Sequence, residues 1–236
     1  MKLKILIIAF LATIAIIVVV LFPAYAVVRM SFSASPGFSS VVGGDARWTL
    51  EHYANFIGAT DAAGHWLFGR QLLNSLVVST AATVLGIFLA TTAAYAFSRM
   101  RFAGRSVGLR MFLITQMFPG TMMIVPLYLI VSKMGLVDSV LGLVIVYGTT
   151  SLPFCIWMLK GYFDTIPIDL DEAARIDGAS TFTIFWRVIL PLAKPALAIT
   201  ALFSFLGAWN EFVLAATFIS REEAFTLPVT LYRHVG

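Results

Sequence analysis

The chain has 236 residues, 60% of them hydrophobic and 12% charged, with a formal net charge of +4 and a mean hydropathy of +0.93. Soluble domains carry about a quarter charged residues, so this composition excludes a disordered chain, a coiled coil and a disulfide scaffold, and points to a protein with several membrane spans. The single cysteine, Cys155, and three histidines without helical ligand spacing, His52, His65 and His234, exclude a thiolate metal cluster and argue against a zinc enzyme.

In chain order, Met1-Lys2-Leu3-Lys4 precedes an apolar run over 5–28. A basic start, an apolar run and Ala24-Tyr25-Ala26 also fit a cleavable signal peptide, whose apolar core is about 7–15 residues long. This run exceeds the roughly 20 residues needed to span a bilayer, so an uncleaved first helix is expected. The segment 29–70 is Ser- and Gly-rich over 31–44 and then reads Trp48-Thr49-Leu50-Glu51-His52-Tyr53. Thr49 or Asp45 is placed to cap a short helix there, in what reads as a surface lid between two spans. Further apolar runs cover about 72–97, 109–131, 139–158 and 195–219. Each is long enough to cross about 30 Å of hydrocarbon. The expectation is an all-α, polytopic transmembrane bundle with five visible spans in one domain, 1–236.

The spans differ in build. The second carries Ala82, Gly86, Ala90 and Ala94, small residues on one face that let another helix approach closely. The third contains Gln116-Met117-Phe118-Pro119-Gly120 and Pro126, which predict a bend or break. Two readings stand for it, a pathway lining and a packed kink. The fifth approaches its end with Trp209-Asn210-Glu211-Phe212. An ionisable group in a span faces a cavity or a partner, or snorkels to the interface, so Glu211 reads as a gate, a subunit contact or an interfacial acid. The tail 220–236 holds Thr226-Leu227-Pro228-Val229-Thr230-Leu231, which looks like a connection toward another helix.

Charge placement sets orientation. With the N-terminus cytoplasmic, the inner segments hold Lys2, Lys4, Arg99, Arg101, Arg105, Arg110, Lys160, Arg175, Arg187 and Lys194. The outer segments hold only Arg29, Arg47, Arg70, Lys133, Arg221 and Arg233, so the positive-inside rule places the N-terminus inside. The basic balance then needs no nucleic-acid partner.

The cytoplasmic segment 160–194 gathers five acids, Asp164, Asp169, Asp171, Glu172 and Asp177. Pro167 stands before a helix whose first turns hold three of them, where they complement the helix dipole. Asp171 and Arg175 have the favourable acid-first spacing of four. Gly178 ends this helix, and Ser180 or Thr181 caps a second. Physics alone leaves two readings, an interfacial hairpin without a partner and a docking element.

The residues carry a resemblance that favours the second. Glu172-Ala173-Ala174, three residues, Gly178, nine residues and Val188-Ile189-Leu190-Pro191 resemble the EAA loop of ABC-importer permeases, EAA-x3-G-x9-I-x-LP, with Val188 at the usual Ile. Asn74-Ser75, Ala94-Tyr95-Ala96-Phe97-Ser98-Arg99, Gln116-Met117-Phe118-Pro119, Lys160-Gly161-Tyr162-Phe163 and Ala208-Trp209-Asn210-Glu211-Phe212 are similar to the maltose-type carbohydrate permease subunits. The resemblance covers essentially the whole chain and implies a type I ABC-importer permease of the bacterial or archaeal inner membrane. It implies no cofactor and no catalytic residue. It further implies a second homologous permease subunit in a heterodimer, two ATPase subunits and a periplasmic or lipid-anchored solute-binding protein. Such subunits have six helices, so the chain is expected to be one short. Glu172, Ala173, Ala174, Gly178, Val188, Leu190 and Pro191 would form the ATPase-coupling loop. Gln116, Pro119, Asn210 and Glu211 are the candidates for pathway or gate. No G-x-x-x-x-G-K-[ST] is present, so ATP energy would be borrowed from a partner. The competing reading, a self-sufficient secondary transporter or channel, rests on Glu211 as its coupling carboxylate. A structural membrane anchor leaves the loop spacing unexplained.

Overall fold

The structure is a computed structural model describing residues 2–34, 47–61 and 63–235. Its helices are α1 (Lys2–Ser31), α2 (Glu51–Ile57), α3 (Leu67–Arg99), α4 (Arg105–Met117), α5 (Ile124–Lys133), α6 (Val140–Phe163), α7 (Asp169–Ile176), α8 (Thr181–Leu192), α9 (Lys194–Asn210), α10 (Val213–Phe218) and α11 (Leu227–Val235). Among the described residues, strand pairing is limited to two isolated bridges, Ser33 with Trp48 and Thr60 with Trp66. Three helices, α1 (over Ala9–Ser31), α3 and α6, are each long and apolar enough to cross a membrane. Two bent pairs, α4 with α5 and α8 with α9, raise the number to five if each pair is one span.

The chain forms two compact units, Met1–Phe68 and Gly69–Gly236. In the first, the ring of Phe32 lies 5.2 Å from that of Tyr53, and the Tyr53 hydroxyl donates to Ser31 Oγ at 2.7 Å. The Thr49 hydroxyl accepts the Glu51 N–H at the start of α2, while Asp45 lies outside the described residues.

In the second unit, α3 and α6 run in the same direction and cross where both lack side chains. A Cβ on Gly86 would sit 2.8 Å from Ser151 Oγ and 3.4 Å from the Gly148 carbonyl oxygen. One on Gly148 would meet Leu85 at 3.0 Å. The ladder's Ala82, Ala90 and Ala94 are all buried. Lipid is as apolar as the side chains it would replace, so dispersion across this close approach supplies the attraction. Two cores lie at opposite ends of the unit. One joins Val78, Leu143, Val146, Phe218 and Phe225, the other Tyr95, Leu159, Phe163, Ile184 and Ile189. Outward residues such as Val84, Phe88, Leu129 and Leu202 stay exposed, as a lipid-facing surface requires.

The run read from sequence as a third span is two helices bent by 101°. Phe118, Pro119 and the 3-10 turn Gly120–Met123 occupy the break. Proline lacks the N–H needed to continue the ladder, and its ring disfavours the α conformation of the preceding residue; Phe118 is accordingly extended at ψ 130. The α9 helix runs back against α6, with Phe154 and Phe203 edge-to-face at 6.3 Å.

Close approach at the α3–α6 crossing sets a stability prediction. Gly86→Leu is expected to cost about 1–3 kcal/mol through overpacking. Gly161→Leu, where a Cβ meets no heavy atom within 4 Å, is expected to stay within about 0.5 kcal/mol. Thermal unfolding of the detergent-solubilised protein checks this, and equal losses in the two variants would contradict the packing.

Candidate functional site

The segment between α6 and α9 has an inner and an outer face. Its α7 helix begins after Pro167 with Asp169, Asp171 and Glu172 in the first turn. It ends at Gly178, whose φ of +80 suits a residue without Cβ. The Gly178 N–H donates to the Arg175 carbonyl at 3.0 Å and the Ala179 N–H to the Ala174 carbonyl at 2.9 Å, closing the helix end. The Ser180 hydroxyl then accepts the Thr183 N–H at 3.2 Å and starts α8, so Ser180 rather than Thr181 is the cap. Within α8 the residues Phe185–Ile189 form a π turn. Such turns accommodate an extra residue and recur at functional sites. Phe185 and Ile189 are both buried here.

Glu172, Ala173 and Pro191 are exposed, as are Ile176 and Gly178. Ile176 is 86% exposed, a large apolar side chain presented outward on a polar helix. Ala174, Val188 and Leu190 are partly buried and pack on the core of Tyr95, Phe163 and Ile184. The seven motif residues are thus divided between an anchoring face and a free face.

The anchor itself is polar. Arg99, the last residue of α3, places Nε 3.2 Å from Asp171 Oδ2, with only 8% and 3% of the two side chains exposed. The contact is charge to charge and is not aligned as a hydrogen bond; neither Asp171 oxygen has a hydrogen-bond donor among the described residues. Arg99 Nη2 also donates to the Ile166 carbonyl at 2.7 Å. Asp171 therefore turns inward to α3 instead of along its own helix to Arg175, the partner its spacing suggests. Beside it, Ser98 donates to Asp164 at 2.7 Å and Lys160 bridges the same carboxylate at 2.5 Å. Burial opposes ionisation of Asp164, but the bonds from Lys160 and Ser98 outweigh it and hold this carboxyl below its ordinary range. Sequence reasoning missed Arg99, Ser98 and the inward turn of Asp171. The available signal was an acid three residues before Ala174, on the stripe that α7 turns to the core.

A second feature lies at the other end of α9. The helix stops at Asn210, Glu211 is extended, and α10 begins at Val213. The Glu211 carboxylate accepts the N–H groups of Leu214 at 3.0 Å and Ala215 at 3.2 Å, and the Tyr147 hydroxyl donates to it at 2.7 Å. The Glu211 carboxylate is thus held at the helix restart, an anion near a helix N-terminus. Tyr147, Thr150, Ser151 and Phe154 of α6 face Phe203, Ser204, Gly207 and Glu211 across a cleft of about 260 Å³. Asn210, the last residue of α9, is exposed and donates to the Leu206 carbonyl. Gln116 and Pro119 are exposed at the α4–α5 break, and no hydrogen bond among the described residues joins them to Asn210 or Glu211. No cluster of three or more metal-ligating side chains occurs among the described residues.

Comparison with known proteins bears on both features. A family model described as binding-protein-dependent transport system inner membrane component matches residues 82–233. The chain is 36% identical to the inner membrane ABC transporter permease protein YcjP of Escherichia coli, over 91% of this chain and 76% of that one. It is 36% identical to the trehalose/maltose transport system permease protein MalG of Thermococcus litoralis, over 90% of this chain and 75% of that one. It also resembles the crystal structure of a bacterial ABC transporter involved in the import of the acidic polysaccharide alginate. The TM-score is 0.77 at 27% identity, covering 98% of this chain and 79% of that one.

Removing the Glu211 cap by Glu211→Ala should cost about 1–3 kcal/mol, and a double-mutant cycle with Tyr147→Phe should show positive coupling; additive losses would contradict a shared bond. Because the carboxyl of Asp164 is held low, its contribution is fully present above the ordinary carboxylate pKa. That contribution is lost as pH falls through the depressed value. Asp164→Asn should therefore lower the thermal midpoint at neutral pH and narrow its difference from the parent protein in acid; a difference independent of pH would contradict this.

Proposed function

The chain belongs to the family of binding-protein-dependent transport system inner membrane components, and from that premise we propose that it is the carbohydrate-translocating permease subunit of an ATP-driven importer. It is a transport component of the inner membrane, built as a type I permease bundle, and its relatives are named as permease proteins. The observation that carries the reading is the two-faced segment between α6 and α9. Ala174, Val188 and Leu190 fix it to the bundle, while Glu172, Ala173 and Ile176 are left free on α7.

That free face suits docking into a groove of a separate ATPase subunit. Ala173 permits close approach, Ile176 supplies apolar contact and Glu172 offers a carboxylate to a cationic partner. Two ATPases would engage this loop and its counterpart on a second, homologous permease. Drawing the loops together would rock the helices between inward-open and outward-open states, each ATP state favouring the conformation it contacts better. Basic residues bias the N-terminus and the 160–194 segment to the cytoplasm. The far end, where Asp138, Asn74 and Arg221 hold the segment after α10, then faces a solute-binding protein.

For the pathway, the cleft between α6 and α9 supplies part of the proposed lining. The Thr150 and Ser151 hydroxyls donate to the Tyr147 and Gly148 carbonyls, so their oxygens remain to accept from sugar hydroxyls, and the edge-to-face pair Phe154 and Phe203 adds apolar ring surface. Glu211 at the cleft wall, Asn210 next to it at the end of α9, and Gln116 and Pro119 at the α4–α5 break complete the proposed pathway and gate. The trehalose/maltose permease among the relatives supports a substrate of the maltose or oligosaccharide class. A self-sufficient ion-coupled transporter is disfavoured, because its coupling carboxylate, Glu211, is engaged in capping α10.

Reconstitution with the second permease, the ATPase and the binding protein of the same system tests the reading. Glu172→Lys, which reverses the offered charge, should abolish sugar uptake and the ATP hydrolysis linked to it while the protein still inserts. Gly178→Pro should do the same, since proline cannot adopt a φ of +80. Unchanged uptake in both variants would overturn the assignment.

A further inference from the structure

We infer that Asp171 and Arg99 form the joint through which movement of α7 reaches the transmembrane helices, and that this joint is a swivel. The inference rests on the reading of 160–194 as the ATPase-coupling loop and adds positioning residues outside its motif.

The first observation is what holds α7. Of its eight residues, Asp171 is the buried one. The helix has no fully buried apolar side chain to anchor it, and Ala174 is only partly covered. Motion imposed on the exposed Glu172 and Ile176 can leave α7 by two routes. One runs through the Gly178 turn into α8 and α9. The other crosses directly from Asp171 to Arg99, at the end of the 33-residue α3. The second route is the short one, and it reaches the helix whose Gly86 packs against α6.

The second observation is the kind of contact. Arg99 is pinned, because Nη2 donates to the Ile166 carbonyl at 2.7 Å. Asp171 is not pinned by any hydrogen bond among the described residues; its oxygens feel the guanidinium charge at 3.2 Å without donor alignment. A hydrogen bond weakens steeply when its angle departs from linear, whereas attraction between two charges depends on distance alone. A buried charge pair with little solvent around it is also screened weakly. The contact therefore keeps α7 attached to α3 while allowing it to turn. An aligned bond would resist that turning, and a greasy contact would let the helix slide.

The third observation is that the neighbouring tie differs. Asp164 carries aligned bonds from Ser98 and a bridge from Lys160, all at the base of the segment. The base is fixed and the arm, α7, swivels about Arg99.

The test uses the complete importer in proteoliposomes and reads two quantities, ATPase co-purification with the permease and sugar moved per ATP hydrolysed. Asp171→Asn and Arg99→Gln should leave co-purification intact, because the exposed face of α7 is untouched. Sugar per ATP should fall by about tenfold or more, the factor that about 1.36 kcal/mol of lost coupling gives. Asp171→Glu, which keeps the charge, should recover most of the ratio. The double variant Arg99→Met with Asp171→Leu leaves no buried charge unpaired and so should insert and assemble, yet stay uncoupled. A wild-type sugar-per-ATP ratio in the double variant, or in both single variants, would overturn the joint. Failure of the coupling-loop reading would look different: Glu172→Lys would then leave both ATPase co-purification and uptake unchanged.

Discussion

A backbone polar group buried in a packed bundle without a partner is costly, so a helix that stops within the bundle must find partners for its exposed N–H and C=O groups inside the protein. This chain interrupts its helices repeatedly, and the architecture depends on the side chains that meet those interruptions. Glu211 receives the Leu214 and Ala215 N–H groups in the first turn of α10 and is itself held by Tyr147. Beyond α10, Asp138 takes the left-handed conformation at φ 58 and its carboxylate accepts the N–H groups of Ser220 and Arg221. On α3, Asn74 donates to the carbonyls of Glu223 and Phe225, and Ser75 accepts the Leu227 N–H. These breaks are thereby fixed bends, and the far end of the bundle becomes a stitched plate of short segments.

The same constraint explains the contrast between the two ends. At the far end, polar side chains from α3 and the α5–α6 loop bond backbone groups, and the apolar core of Phe218, Phe225 and Val229 lies beneath them. At the other end, the polar contacts hold a segment that carries its own outward face. Tyr162 reaches the Leu192 carbonyl, Ser98 reaches Asp164 and Arg99 reaches Ile166 and Asp171. One end is built to keep its shape, and the other to hold an arm that a partner can grip.

Residues whose structural role is local were legible in the sequence. Gly178 needs a positive φ, Ser180 caps the helix that follows it, and the backbone breaks beside Pro119 and Gly120. The small-residue ladder of α3 announced a close crossing, though not that Gly148 would be its partner. What the sequence hid were contacts between distant residues and side chains with two plausible allegiances. Asp171 looks like a first-turn acid for Arg175, and only the packing of α7 turns it to Arg99. Glu211 looks like an isolated ionisable group until Tyr147, 64 positions earlier, is brought against it. The π turn over Phe185–Ile189 has no composition of its own to announce it.

The central claim is that the coupling segment moves with its own bundle, delivering force from the exposed face of α7 to α3. Pulsed electron-spin distances in the assembled importer test it most directly, with labels at Arg101, just past α3, and at Leu170, beside Asp171 on α7, both exposed. A second pair would link Leu170 to the coupling helix of the second permease. Between nucleotide-free and ATP-bound states, the internal distance should change by no more than the about 1–2 Å of an ordinary helix shift, while the distance between the two coupling helices shortens. An internal distance that changes as much as the intersubunit distance would show α7 parting from α3, and would contradict the account.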